Sequence, residues 1–170
     1  MTKYPYLILK RKLLQILNIP KVQWLSTQLN DEGQAVYHVP SCYIQFLPAQ
    51  PQALGNNLQA ADLTFRVHLY TENIDEDDEV LVHLDLASAI YAKLQGEVGM
   101  LSELPAFASL AGTDDDVAVM NVMNRTQYIP DHETARTHTT IQEFTCFCVD
   151  LSNAPQYQNV TIALEAQFEV

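Results

Sequence analysis

The chain has 170 residues, 48% of them hydrophobic and 18% charged, with five Gly, eight Pro and three Cys. That apolar share can offset the entropy of ordering, which excludes a disordered chain, and no stretch approaches the ~18 uncharged apolar residues of a membrane-spanning helix. Nine Lys and Arg against 21 Asp and Glu leave a net charge of −12. This argues against tight nucleic-acid binding, which depends on cations displacing counterions from phosphates.

The length suits a single domain over residues 1–170. The N-terminal MTKYPYLILKRKLL has its basic cluster after the apolar run and no small-residue cleavage site, unlike a secretory signal. Three Cys imply no disulfide framework and point to a reducing compartment. The charge is segregated. Lys3, Lys10, Arg11, Lys12 and Lys21 give residues 1–21 a formal +5 with no acid, so residues 22–170, with 4 basic and 21 acidic groups, carry −17.

Residues 6–18 read as an amphipathic helix with Leu9, Leu13, Ile16 and Leu17 on its apolar face, Pro5 in the first turn and Pro20 closing it. A short strand is expected at 21–28 around Trp24, a turn at 30–34, and a strand at 35–47 interrupted by Pro40. Residues 48–57 read as a polar loop. Leu63–Tyr70 is the clearest strand: Leu63, Phe65, Val67 and Leu69 alternate with Thr64, Arg66, His68 and Tyr70. The acidic run Glu72–Glu79 leads into a helix at about 78–95, with an apolar stripe of Val80, Leu84, Ala87, Tyr91 and Leu94 and Gly96 as C-terminal cap. Carboxylates there suit the positive end of the helix dipole. Residues 97–113 read as irregular or partly helical. Strands are expected at 117–129, about 138–151 and about 160–168, with connections at 131–137 and 153–155. The order indicates an α+β fold, with a mostly antiparallel sheet packed against an N-terminal helix and a central helix.

No motif carries obvious chemistry. Cys146 and Cys148 share one face of a strand, but a zinc site needs four ligands, so both read as buried small hydrophobes. Asp131, His132 and Glu133 fall in a turn signal. Asp114–Asp116 alternate faces on an extended segment, whereas a hard cation needs converging ligands. G-x-S-x-G, H-E-x-x-H, P-loop and G-x-G-x-x-G patterns are missing from the sequence, and five Gly are few for phosphate-cradling loops. No cofactor or metal is expected.

The layout of PSCYIQF, a polar loop, LTFRVHLYTEN, an acidic turn, DLASAIYAKLQG and the closing QYIPDHETARTHTTIQEFTCFCVDL resembles the tail terminator (tail completion, head–tail joining) proteins of tailed bacteriophages and prophages. The resemblance covers about residues 4–151, leaving a strand at about 157–168 as an addition. It implies a non-enzymatic virion protein, assembled in the bacterial cytoplasm, whose homohexameric ring caps the tail tube, meets the head connector and lets DNA pass without tight binding. No membrane partner is implied, and no catalytic residue is carried over. On this reading Lys3, Lys10, Arg11, Lys12 and Lys21 are candidates for a subunit or partner interface. Glu72, Asp75, Glu76, Asp77, Asp78, Glu79, Asp114, Asp115 and Asp116 are candidates for the channel lining or rim. The competing class is an enzymatic or small-molecule-binding α+β module with its site in the sheet–helix groove.

Overall fold

The computed structural model describes residues 2–25, 39–55, 58–72, 77–130 and 137–151. In chain order these form α1 (Lys3–Leu14), β1 (Val22–Trp24), β2 (Ser41–Phe46), β3 (Gln52–Gly55), β4 (Leu58–Glu72), α2 (Asp77–Leu94), β5 (Gly99–Met100), two 3₁₀ turns (Leu101–Glu103 and Pro105–Leu110), β6 (Ala118–Met120), β7 (Asn124–Ile129) and β8 (Thr137–Asp150). All eight strands join one sheet of order β1-β2-β4-β8-β6-β5, with β3 on the edge of β4 and β7 on the edge of β8. Only β1 and β2 pair in parallel, so the fold is the expected α+β with a mostly antiparallel sheet.

The spine of the sheet is the β4–β8 ribbon, in register from Gln59↔Asp150 to Glu72↔Thr137. Strict alternation sets its two faces. Leu63, Phe65, Val67 and Leu69 turn inward with Cys146, Phe144, Gln142 and Thr140 opposite them, all buried. An aromatic row crosses four strands: Trp24, Phe46, Phe65 and Phe144 follow one another with ring centroids 5.2, 6.1 and 5.5 Å apart. The helix α1 lies over this face, burying Tyr4, Ile8, Leu9 and Leu13. Gly99 lets β5 approach closely here, since an added Cβ would lie 3.1 Å from Ile8 and from Met120 and would need both side chains to shift.

Three expectations are corrected. First, α1 runs Lys3–Leu14 rather than 6–18, and its buried row is Tyr4, Ile8, Leu9, Lys12 and Leu13; Leu17 is 83% exposed beyond the helix end. Second, α2 is rotated from its expected stripe. His83, Leu86, Ala87, Ile90 and Leu94 are buried, whereas Val80, Leu84 and Tyr91 are exposed. The helix is apolar nearly all round, so periodicity alone could not choose its inner face, and a histidine scored as polar pointed away from the right one. His83 is tolerated inside because its Nδ1 and Nε2 sit 2.7 and 2.6 Å from the hydroxyls of Thr71 and Thr140. Third, the expected strand 117–129 is split. Between β6 and β7 the chain leaves the ladder so that buried Met123 can exchange hydrogen bonds with the end of α2, its N–H donating to Glu97 O and its carbonyl accepting from Gly96 N–H. Gly96, at φ +77°, ends α2 as expected.

Smaller differences concern limits. The expected polar loop 48–57 contains β3, β4 is longer than the expected 63–70, and Pro40 stands just before β2 after a cis Val39–Pro40 bond. The turn at 30–34, the cluster Asp131–Glu133 and the strand at about 157–168 lie outside the described residues.

Candidate association surface

The second, outward stripe of α2 and the edge strand β7 form one continuous surface. The order β4-β8-β7 leaves the far edge of β7 unpaired among the described residues, and β7 is exposed from Asn124 to Tyr128. Beside it stand Val80, Leu81, Leu84 and Tyr91 of α2, between 37 and 58% exposed, with Tyr128 at 38%. Between the two elements lies an open groove of about 310 Å³ lined by Leu84, Ala87, Ser88, Tyr91, Arg125 and Tyr128.

Two glutamines fix its geometry. Buried Gln142 donates from Nε2 to the carbonyl of Ala87 at 2.6 Å, pinning α2 to β8, and turns its Oε1 toward Arg125 Nη1 at 3.4 Å. Gln95, just past α2, accepts from the Arg125 backbone N–H at 2.8 Å and donates to Asn124 Oδ1 at 3.3 Å, so it clamps the start of β7. Arg125 is thereby laid over the Tyr91 ring, its Cζ 3.9 Å from the centroid, with the Tyr128 ring 5.5 Å away. Among the described residues it has no carboxylate partner, and its other guanidinium N–H groups have no acceptor. The sequence reading missed Arg125; the available signal was one of only four cations in residues 22–170, set between Asn124 and Thr126 in an otherwise acidic body.

The sequence-derived candidates are not gathered on this surface. Lys12 is buried, its Nζ 3.0 Å from Glu103 and 3.3 Å from Glu97. That corrects the expectation for Lys12: an intramolecular pairing removes it from the basic patch. Lys3, Lys10 and Arg11 sit half-buried along α1, and Lys21 half-buried ahead of β1. Glu72 is exposed at the end of β4; Asp75 and Glu76 lie outside the described residues; Asp77, Asp78 and Glu79 open α2. Asp114 and Asp115 are exposed, whereas Asp116 accepts from the N–H and Oγ of Ser102 at 3.0 and 2.6 Å and braces the turn they occupy. Asp116 is therefore not a free rim carboxylate.

The cysteines behave as core residues. Cys42, Cys146 and Cys148 are free and buried, and burial pushes each thiol up to about 12, which keeps them protonated and inert. Among the described residues no group of three or more His, Cys, Asp or Glu converges as metal ligands do. No family model matches the chain, and neither does any curated protein.

Proposed function

We propose that this protein is a non-enzymatic structural subunit that works by self-association, forming a ring of the tail-terminator kind that caps a phage tail tube and meets the head connector. The observation that carries the reading is the α2–β7 face. A chain with net charge −12 leaves an apolar helix stripe, two tyrosines and a strand edge unpaired among the described residues on one surface. Contiguous exposed apolar surface of this kind marks an association site, and an unpaired strand edge is its usual companion. The resemblance in element order gives the assembly its proposed form. Six copies would carry a formal charge of about −72, which suits a channel that DNA traverses without sticking.

The test is direct. Sedimentation velocity and negative-stain microscopy of the full chain, alone and with a phage tail tube protein, should give six-membered rings seated at tube ends. A chain that stays monomeric at all concentrations and leaves tube growth unchanged overturns the reading. The second reading, a small-molecule module, is favoured by the same groove, whose volume matches the small end of ligand pockets. A monomer that gains thermal stability with one metabolite from a panel would select it.

A further inference from the structure

Arg125 is an exposed cation whose side chain and backbone are both held in place. Tyr91 stacks beneath it, Gln142 and Gln95 hold its side chain and backbone, and the apolar floor of Leu84 and Ala87 adjoins it. A guanidinium fixed in this way loses little entropy on meeting a carboxylate and offers paired donors to it. No carboxylate among the described residues of its own chain meets it.

The complementary element is the turn around Asp114. Residues 111–115 are all exposed, Gly112 sits at φ +76° where a left-handed backbone favours glycine, and Asp116 ties the base of the turn to Ser102. Asp114 and Asp115 have no ion partner among the described residues. Asp77, Asp78 and Glu79, by contrast, open the same helix that forms the groove and belong to the receiving side. Among the described residues each copy thus carries a fixed cation in an apolar groove and a braced acidic turn without an ion partner. Two different surfaces of this kind, joined head to tail, generate closed rings when the rotation between copies closes.

We propose that the α2–β7 groove is the socket for a neighbouring copy of this chain, with Arg125 receiving the carboxylates of that copy's Asp114–Asp115 turn. The inference rests on the ring reading and names the contact within it.

Sedimentation velocity on the full chain at 50 mM and 500 mM NaCl tests it with three variants: Arg125→Glu, Leu84→Ser, and the double variant Asp114→Arg with Asp115→Arg. Each should weaken assembly at least about tenfold at low salt, a loss of about 1.4 kcal/mol per interface. An equimolar mixture of Arg125→Glu with the double Asp variant should restore it, because alternating copies then meet opposite charges at every contact. Wild-type rings that all three variants leave intact would overturn the socket while the ring reading stands. Weakening without rescue in the mixture would overturn the Asp114–Asp115 assignment. A wild-type monomer, with and without the tube protein, would defeat the ring reading and this contact together. The Asp pair lies in an exposed turn that is part of neither α2 nor β7, so its variant reports on contact even if substitutions in the groove disturb folding.

Discussion

His68 faces away from the main core, yet it is 7% exposed, with Nε2 3.1 Å from Gln45 Oε1. Burial first, and the Arg66 charge second, lower its pKa from 6.5 to about 4. The unfolded chain therefore takes up a proton below about pH 6.5 that the folded chain refuses until about pH 4. Stability from this group is lost as pH falls through that window, by about 3 kcal/mol across it and about 2 kcal/mol by pH 5, and is unchanged above it. In urea melts His68→Gln should show a smaller drop in unfolding free energy between pH 7 and pH 5 than wild type; an equal drop would refute this assignment. Lys12 makes the complementary case. Its stem is packed with Ile8 and Leu9 nearby on α1 while its amine meets Glu103 and Glu97. Lys12→Ala should cost about 2 kcal/mol and Lys12→Met clearly less, because Met retains the packing and both carboxylates keep some contact with water. Helical spacing does separate Lys12 from Lys10 and Arg11, since it follows Ile8 by four residues and Leu9 by three and so shares their buried face, but spacing does not supply its partners. Its partners lie 85 and 91 positions away, and only the fold brings them together.

The two strands of the central ribbon were legible from alternation because a sheet with one covered face leaves a period-two record in its residues. Phe65, stacked on Phe144 at 5.5 Å and fully buried, should cost about 3–5 kcal/mol when replaced by Ala, read by chemical denaturation. The orientation of α2 was not legible, since apolar side chains on two faces erase the moment that identifies an inner one. Paired substitutions separate the faces. Ile90→Ala, in the core, should cost about 2–4 kcal/mol, whereas Leu84→Ser, on the groove, should cost under about 1 kcal/mol and act on assembly instead. Equal destabilisation by both would mean that the helix is packed on its other side. The break between β6 and β7 was hidden for a similar reason. VAVMNVMNRTQYI keeps β-forming residues throughout, and the local sequence carries no trace of the hydrogen bonds that Met123 makes with the distant end of α2.

For the whole molecule, segregated charge was visible in the sequence, but its use was not. A basic segment attached to an acidic body suggested an intersubunit contact through α1; the fold packs α1 across the sheet and pairs Lys12 internally, which takes that one residue out of the basic patch. The remaining contrast between a −12 chain and DNA still has a measurable consequence. Duplex DNA at about 150 mM salt should not bind the purified protein with sub-micromolar affinity, as fluorescence anisotropy would report. Tight binding would rule out passage of DNA through a ring of these subunits without adhesion.

The β4–β8 ribbon also sets a timetable. Its nearest paired residues, Glu72 and Thr137, are 65 positions apart, and its farthest, Gln59 and Asp150, are 91 apart. At ribosomal speeds of roughly 5–20 residues per second, β4 therefore waits about 3–13 s for its partner to be made. Throughout that interval Leu63, Phe65, Val67 and Leu69 lack the strand opposite them, and α1 lacks most of the floor it packs on. Because the central pairing is so non-local, the chain is expected to fold on the millisecond-to-second scale after release rather than element by element during synthesis. Its yield in a cell should then depend more on chaperone supply and growth temperature than its final stability would suggest.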